Sequence, residues 1–151
     1  LVKKICELIE SGADFETVVE KAELYSRHTH VVFALSSFNN LVKNGRMSKI
    51  VGFVANKLGF WGIGIGSGQG TIEIKQKIRG SKKALDAIIE DMKERGYNCG
   101  KVVISHCRNA EFAESVKSAI QSVWDKAEVK IVHARGLCSY YAEKGGLIIG
   151  F

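Results

Sequence analysis

The spacing of apolar side chains divides the chain into alternating helical and extended stretches. Leu1 to Ser11 reads Leu-Val-Lys-Lys-Ile-Cys-Glu-Leu-Ile-Glu-Ser, a helix stopped by Gly12. Asp14 caps a second helix over Phe15 to Tyr25, with Phe15, Val18, Val19 and Ala22 on one face, and His30-Val-Val-Phe-Ala-Leu35 follows as a short buried strand. Ser37 opens a short helix that Asn44-Gly45 ends, because glycine takes the left-handed conformation that closes a helix. A helix over about Ser48 to Leu58 carries Ile50, Val51, Val54, Ala55 and Leu58 on a wide apolar arc. In Phe60-Trp61-Gly-Ile63-Gly-Ile65-Gly66, strand alternation sends Trp61, Ile63 and Ile65 to one face and leaves the other without side chains. A helix or a ligand's acyl chain fits closely against such a face, and the pattern does not choose between them.

Gly66 to Gly70 reads as a flexible hairpin, and from Thr71 to Ile78 the isoleucines at 72, 74 and 78 alternate with Glu73, Lys75 and Lys77, the mark of an antiparallel strand with one wet face. Ser81 caps a helix with Leu85, Ile88, Ile89 and Met92 inward; Lys101 to Ser105 is a strand. Asn109 caps a helix with Phe112, Val116, Ile120 and Val123 inward, Val129 to His133 is a strand, and a closing strand follows the Gly145-Gly146 turn. Helices that cross over between strands imply a partly parallel sheet. The expected fold class is α/β, a two-layer mixed β-sheet backed by helices on one side.

With 151 residues the chain is long enough to bury roughly 70% of its unfolded surface. Cys6, Cys99, Cys107 and Cys138 stand apart with no C-x-x-C pair, which predicts free thiols in a reducing cytoplasm and no zinc site. No run of about 18 apolar residues predicts a membrane span. The net charge of +6 raises nucleic acid as a partner, but lysines alternate with acids, as in Glu90-Asp91-Met-Lys93-Glu94-Arg95, so none is expected. The glycines fit no phosphate-loop register: the third position of G-x-G-x-x-G falls on Ser67, Gln69 or Thr71. His28 and His30 lack a third ligand nearby, and His106 and Cys107, adjacent at a strand end, point apart, so neither a metal nor a catalytic cysteine is expected. The start at Leu1, inside a helical pattern, reads as part of a larger protein.

Between Leu24 and Ile72 there is no acidic residue, while Arg27, Lys43, Arg46, Lys49 and Lys57 stand among long apolar side chains. Such a surface favours a ligand with an anionic head and an apolar body. The order of residues here, Phe38-Asn-Asn-Leu41-Val-Lys43-Asn-Gly45-Arg46-Met47, resembles the "leucine, spacer, lysine, glycine-glycine-arginine, apolar" signature of the DegV family of bacterial fatty-acid-binding proteins. Gly70-Thr-Ile-Glu-Ile, and then Ile78-Arg79-Gly-Ser-Lys82-Lys83-Ala84-Leu85, fall where that family has a hairpin glycine, a strand and a helix start.

The resemblance implies a DegV-like C-terminal domain over residues 36–151, preceded over 1–35 by the trailing part of an amino-terminal α/β domain. It implies a carrier without catalytic residues or cofactor, which buries a long-chain fatty acid and presents its carboxylate to a separate ATP-dependent kinase. The absent amino-terminal domain would supply much of the head-group grip. Ile50, Phe53, Val54, Leu58, Ile63 and Ile65 are the tail-lining candidates, and Arg46 and Tyr141 the head-group candidates. Tyr141 falls where the family has a histidine that holds the ligand carboxylate, and Glu143-Lys144 where it has glycine-proline. A tyrosine hydroxyl donates a hydrogen bond but does not become cationic near neutral pH. Two other readings stand beside this one: a dihydroxyacetone-kinase-like binding domain, whose covalent histidine would be His106 or His133, and a regulatory module that senses lipid.

Overall fold

The computed structural model describes residues 1–46, 59–67 and 72–151, which fall into two compact units, Leu1–His30 and Val31–Phe151. The first unit is a helix pair, α1 (Val2–Glu10) and α2 (Phe15–Arg27). The Asp14 carboxylate caps α2 as expected, accepting the Thr17 N–H at 2.8 Å, and this bond holds its carboxyl below the usual range. His28 is the C-cap of α2, so it shares no strand face with His30. Ile9, Phe15, Val19 and Leu24 are exposed.

The second unit contains β1 (Val31–Leu35), α3 (Asn39–Lys43), β2 (Phe60–Gly66), β3 (Ile72–Arg79), α4 (Ser81–Glu94), β4 (Lys101–His106), α5 (Ala110–Val123), β5 (Glu128–His133), α6 (Gly136–Ala142) and β6 (Leu147–Gly150). The strands form one mixed sheet in the order β3-β2-β1-β6-β4-β5. Among the described strands only the β4–β5 pair is parallel, and α5 is its crossover. The last strand, β6, inserts between β1 and β4. Residues 31–35, which the sequence grouped with the preceding domain, are bonded on both sides within this sheet.

The helices α4 and α5 cover one face, where Val32, Ala34, Ile63, Ile104 and Ile149 meet Ile88, Met92, Val116 and Ile120. The opposite face carries a smaller cluster of Phe33, Leu35, Phe38, Leu41 and Ala142. Helices therefore lie on both sides, and α6 was not foreseen. Val123, expected inward, is exposed, and Gly80 rather than Ser81 stands at the α4 N-cap.

One irregularity redistributes side chains between the faces. Ile63 opposes Gln76 and Gly64 opposes Ile74, which leaves Lys75 as an extra residue, a β-bulge. The isoleucines expected on one face are thus divided: Ile78 packs on the α4 and α5 side, while Ile72 and Ile74 join the opposite cluster. Lys75 reaches the buried carboxylate of Asp91 on α4 at 3.1 Å, which Arg95 also holds at 2.8 Å, so this buried charge is fully paired. No helix among the described residues is long and apolar enough to cross a membrane.

The bare face of β2 is filled by rings of this chain. A Cβ on Gly62 would lie 2.3 Å from the Phe38 ring, and one on Gly64 would lie 2.5 Å from the Phe33 ring. Gly62→Ala is therefore expected to destabilise the protein by about 1–3 kcal/mol through overpacking. Denaturant titration checks this, and adding Phe38→Leu to Gly62→Ala should recover part of the loss.

Candidate functional site

The site is built on the sheet face that, among the described residues, carries only the short helices α3 and α6. Phe33 and Leu35 of β1 and Ile148 of β6 point to this side, and α3 and α6 pack on each other above it. Between them lies a cavity of about 210 Å³ whose walls include Phe33, Leu35, Leu41, Ile72, Tyr141 and Ile148. A second cavity of about 340 Å³ shares Leu41, Ile72, Tyr141 and Ile148 with the first and adds Arg46, Leu137 and Cys138. The two adjoin, apolar at one end and bearing a guanidinium at the other. Their sizes suit a small amphiphile, since ligand sites commonly span roughly 300–1,000 Å³ and are mostly apolar with few polar groups.

Local chain geometry delivers Arg46 to this place. Gly45 adopts φ 64, and the Arg46 N–H donates to the Leu41 carbonyl at 2.9 Å while the Gly45 N–H donates to Val42. This is the Schellman ending of α3, and it turns the chain so that the guanidinium lies 5.7 Å from the Tyr141 ring centroid. The two head-group candidates thus come together, both on the lining of the second cavity. The tail candidates divide differently. Ile63 is in the core under α4 and α5, on the far side of the sheet, and Ile65 is paired with Val32, which points the same way. Neither is in the walls of these two cavities, because the glycines, not the isoleucines, of β2 face the site; Gly66 is in the wall. Ile50, Phe53, Val54 and Leu58 lie outside the described residues. The sequence reading passed over Phe33, Leu35, Ile72 and Ile148, although the apolar run of β1 and the closing strand carried the signal.

Polar groups fasten the two short helices. The Glu143 carboxylate accepts the Ser37 hydroxyl at 2.5 Å and the Asn40 N–H at 2.8 Å. Asn40 Nδ2 donates to the Tyr140 carbonyl at 2.8 Å, and Asn44 Nδ2 to the Tyr140 hydroxyl at 3.0 Å. Glu143 itself has φ 52, a left-handed conformation uncommon for a side-chain-bearing residue. The Gly145-Gly146 turn is tied to the end of β4, where Gly145 N–H donates to Cys107 and Asn109 Nδ2 to the Gly145 carbonyl, both at 2.8 Å.

His106 stands at the end of β4 with its ring 4.5 Å from that of His133 and its Nδ1 accepting the Asn109 N–H at 3.1 Å. Its neutral form therefore carries the proton on Nε2. Burial, and secondarily the neighbouring His133, hold its pKa below the ordinary value. Among the described residues no histidine lines either cavity, and no group of three His, Cys, Asp or Glu side chains is placed to hold a metal ion.

A family model described as "Uncharacterised protein, DegV family" matches residues 1–151. The chain belongs to the DegV family. A DegV domain-containing protein of Streptococcus pyogenes serotype M1 is 42% identical over all 151 residues, and the chain spans 54% of that relative's length. Its fold matches the Streptococcus pneumoniae Fatty Acid Kinase (Fak) B3 protein, a crystal structure loaded with linoleic acid, at a TM-score of 0.94 and 39% identity, covering 99% of this chain and 53% of that one. A DegV family protein from Eubacterium eligens, loaded with heptadecanoic acid, matches with a TM-score of 0.94 and 36% identity, covering 99% and 54%.

The enclosed imidazole sets a pH dependence with a definite sign. Because the folded protein binds the His106 proton less readily than the unfolded chain, stability is full above the ordinary histidine pKa of 6.5 and declines as pH falls below it. Thermal midpoints measured between pH 7.5 and 5 should show this fall, to roughly the extent that one titrating group allows. His106→Gln should lessen the slope.

Proposed function

We propose that the protein containing this chain is a non-catalytic carrier of a long-chain fatty acid, which it presents by its carboxylate to a separate ATP-dependent fatty-acid kinase. The observation that carries this reading is the pair of adjoining cavities, walled by Phe33, Leu35, Leu41 and Ile148 and ended by Arg46 and Tyr141. The fatty acids held by the two matched structures support the ligand class. In this reading the tail lies against the aromatic and aliphatic side chains of β1, α3, β3 and β6, while Arg46 and Tyr141 face the carboxylate.

Since the chain spans about half the length of the curated relatives it matches, the rest of the pocket is assigned to an additional amino-terminal domain. The helix pair of residues 1–30 belongs with that domain, and its exposed Phe15 and Leu24 suit burial there. No cofactor is needed, because a carrier makes and breaks no covalent bond. We place the protein in the cytoplasm, where free thiols such as Cys138 at the cavity wall stay reduced.

The intact protein purified from a bacterial host should release about one fatty acid per chain on solvent extraction, read by mass spectrometry; finding no acyl chain would end this reading. Tyr141→Phe should weaken acyl binding by roughly ten- to a hundred-fold, the worth of about 1.5–3 kcal/mol for a hydrogen bond to a charged acceptor. Tyr141→His should retain binding and add a dependence on pH near the imidazole pKa, about 6.5. Unchanged affinity in the Phe variant would remove Tyr141 from the head-group site.

A further inference from the structure

We propose that Glu143 is a positioning residue for the ligand, a carboxylate latch that holds the two movable walls of the cavity together. The inference rests on the carrier reading above. The α3 wall supplies Leu41 and, through its ending, Arg46; the α6 wall supplies Tyr141 and Leu137. A helix of five residues such as α3 gains little stability from its own hydrogen bonds, and its N-cap residue, Phe38, offers no side-chain cap. The missing cap comes from Glu143, far along the chain: one oxygen takes the Asn40 N–H at 2.8 Å and the other the Ser37 hydroxyl. A carboxylate accepting two bonds is a stronger tie than the neutral amide bonds from Asn40 and Asn44 to Tyr140 beside it. The latch thus joins the turn after α6 to the start of α3, and an acyl tail leaving between them must part these groups.

The backbone separates this role from a purely structural one. Glu143 has φ 52, a conformation that glycine adopts without strain. Glu143→Gly therefore removes the latch while easing the chain, so folding stability and ligand retention should part company. A group that merely stabilised the fold would move both together.

The test uses the intact protein, loaded with a fluorescent fatty acid and challenged with excess unlabelled oleate to follow release, with hydrogen exchange of residues 39–43 recorded on ligand-free protein. Glu143→Gly should release the probe roughly ten- to a hundred-fold faster, with a thermal midpoint near that of the wild type and faster exchange in α3. Glu143→Gln keeps one acceptor oxygen and should fall between; Ser37→Ala, which removes one of the two bonds to Glu143 together with the Asn39 Nδ2 bond to the same hydroxyl, should do the same and serves if the glycine variant does not fold. Faster exchange with unchanged release would show a structural cap only and overturn the proposal. Unchanged exchange would show that no latch exists. A wild type that takes up no probe would instead sink the carrier reading, a result distinct from wild type and variant both binding and releasing alike.

Discussion

The two central strands of the sheet are apolar on both faces, and neither face can be left to water. Val32 and Ala34 of β1 point one way and Phe33 and Leu35 the other; in β6, Leu147 and Ile149 oppose Ile148 in the same manner. On one side α4 and α5, each of 14 residues, supply enough apolar surface to close a core. On the other side the described helices α3 and α6 have five and seven residues. Helices this short do not stand on propensity, so they are secured by polar bonds to each other and to the turn before β6. The cavity lies above Phe33, Leu35 and Ile148, walled on this side by residues of α3 and α6. Among the described residues, the candidate site lies where this two-faced sheet carries only short helices.

The glycine row of β2 serves the same end. Where Gly62 and Gly64 lack side chains, the rings of Phe38 and Phe33 drop into contact with the backbone, and where Gly66 lacks one the space stays open as cavity wall. A strand with side chains at these positions would push both rings outward into the volume that remains. The bulge at Lys75 adds to this by turning Ile72 and Ile74 toward the cavity, while its own ammonium group is drawn back to Asp91 on the helical side. A bulge that splits one isoleucine row between two faces thus lets a single edge strand serve the core and the site together.

Much of this fold was legible in the chain because period and capping agree along it. The strand and helix order from β3 to β5, the parallel crossover through α5 and the Asp14 cap all follow from local patterns. The site was harder to read, for three physical reasons. Alternation in β2 separates glycines from isoleucines but carries no sign for which face meets long helices, so it does not reveal that Ile63 and Ile65 lie on the α4 and α5 side. A bulge leaves no clear mark between Ile72 and Ile78, because the extra Lys75 falls where the alternation already expects a polar residue. And α6 is too short to show a helical period, its Leu137, Tyr140 and Tyr141 being only one turn. Arg46 and Tyr141, by contrast, were reached through motif position and do lie beside each other.

In the proposed carrier, the apolar and polar groups of the cavity walls have separate tasks. Each methylene buried against Phe33, Leu41 or Ile148 contributes about 0.8 kcal/mol, so a long tail supplies most of the binding free energy, and one carbon more or less changes affinity only by roughly fourfold. In the proposed reading the polar end, with Arg46 and Tyr141, would contribute orientation. This separation suits transfer. A partner enzyme that takes hold of the carboxylate has only to replace one or two hydrogen bonds, each worth about 1.5–3 kcal/mol to a charged acceptor, while the tail remains bound. Were the affinity concentrated in the head group, the same exchange would have to break most of the complex before chemistry began. In the proposed reading, a site whose grip is apolar and remote from the reacting atoms would leave the carboxylate available, and such a carrier would need no catalytic group of its own.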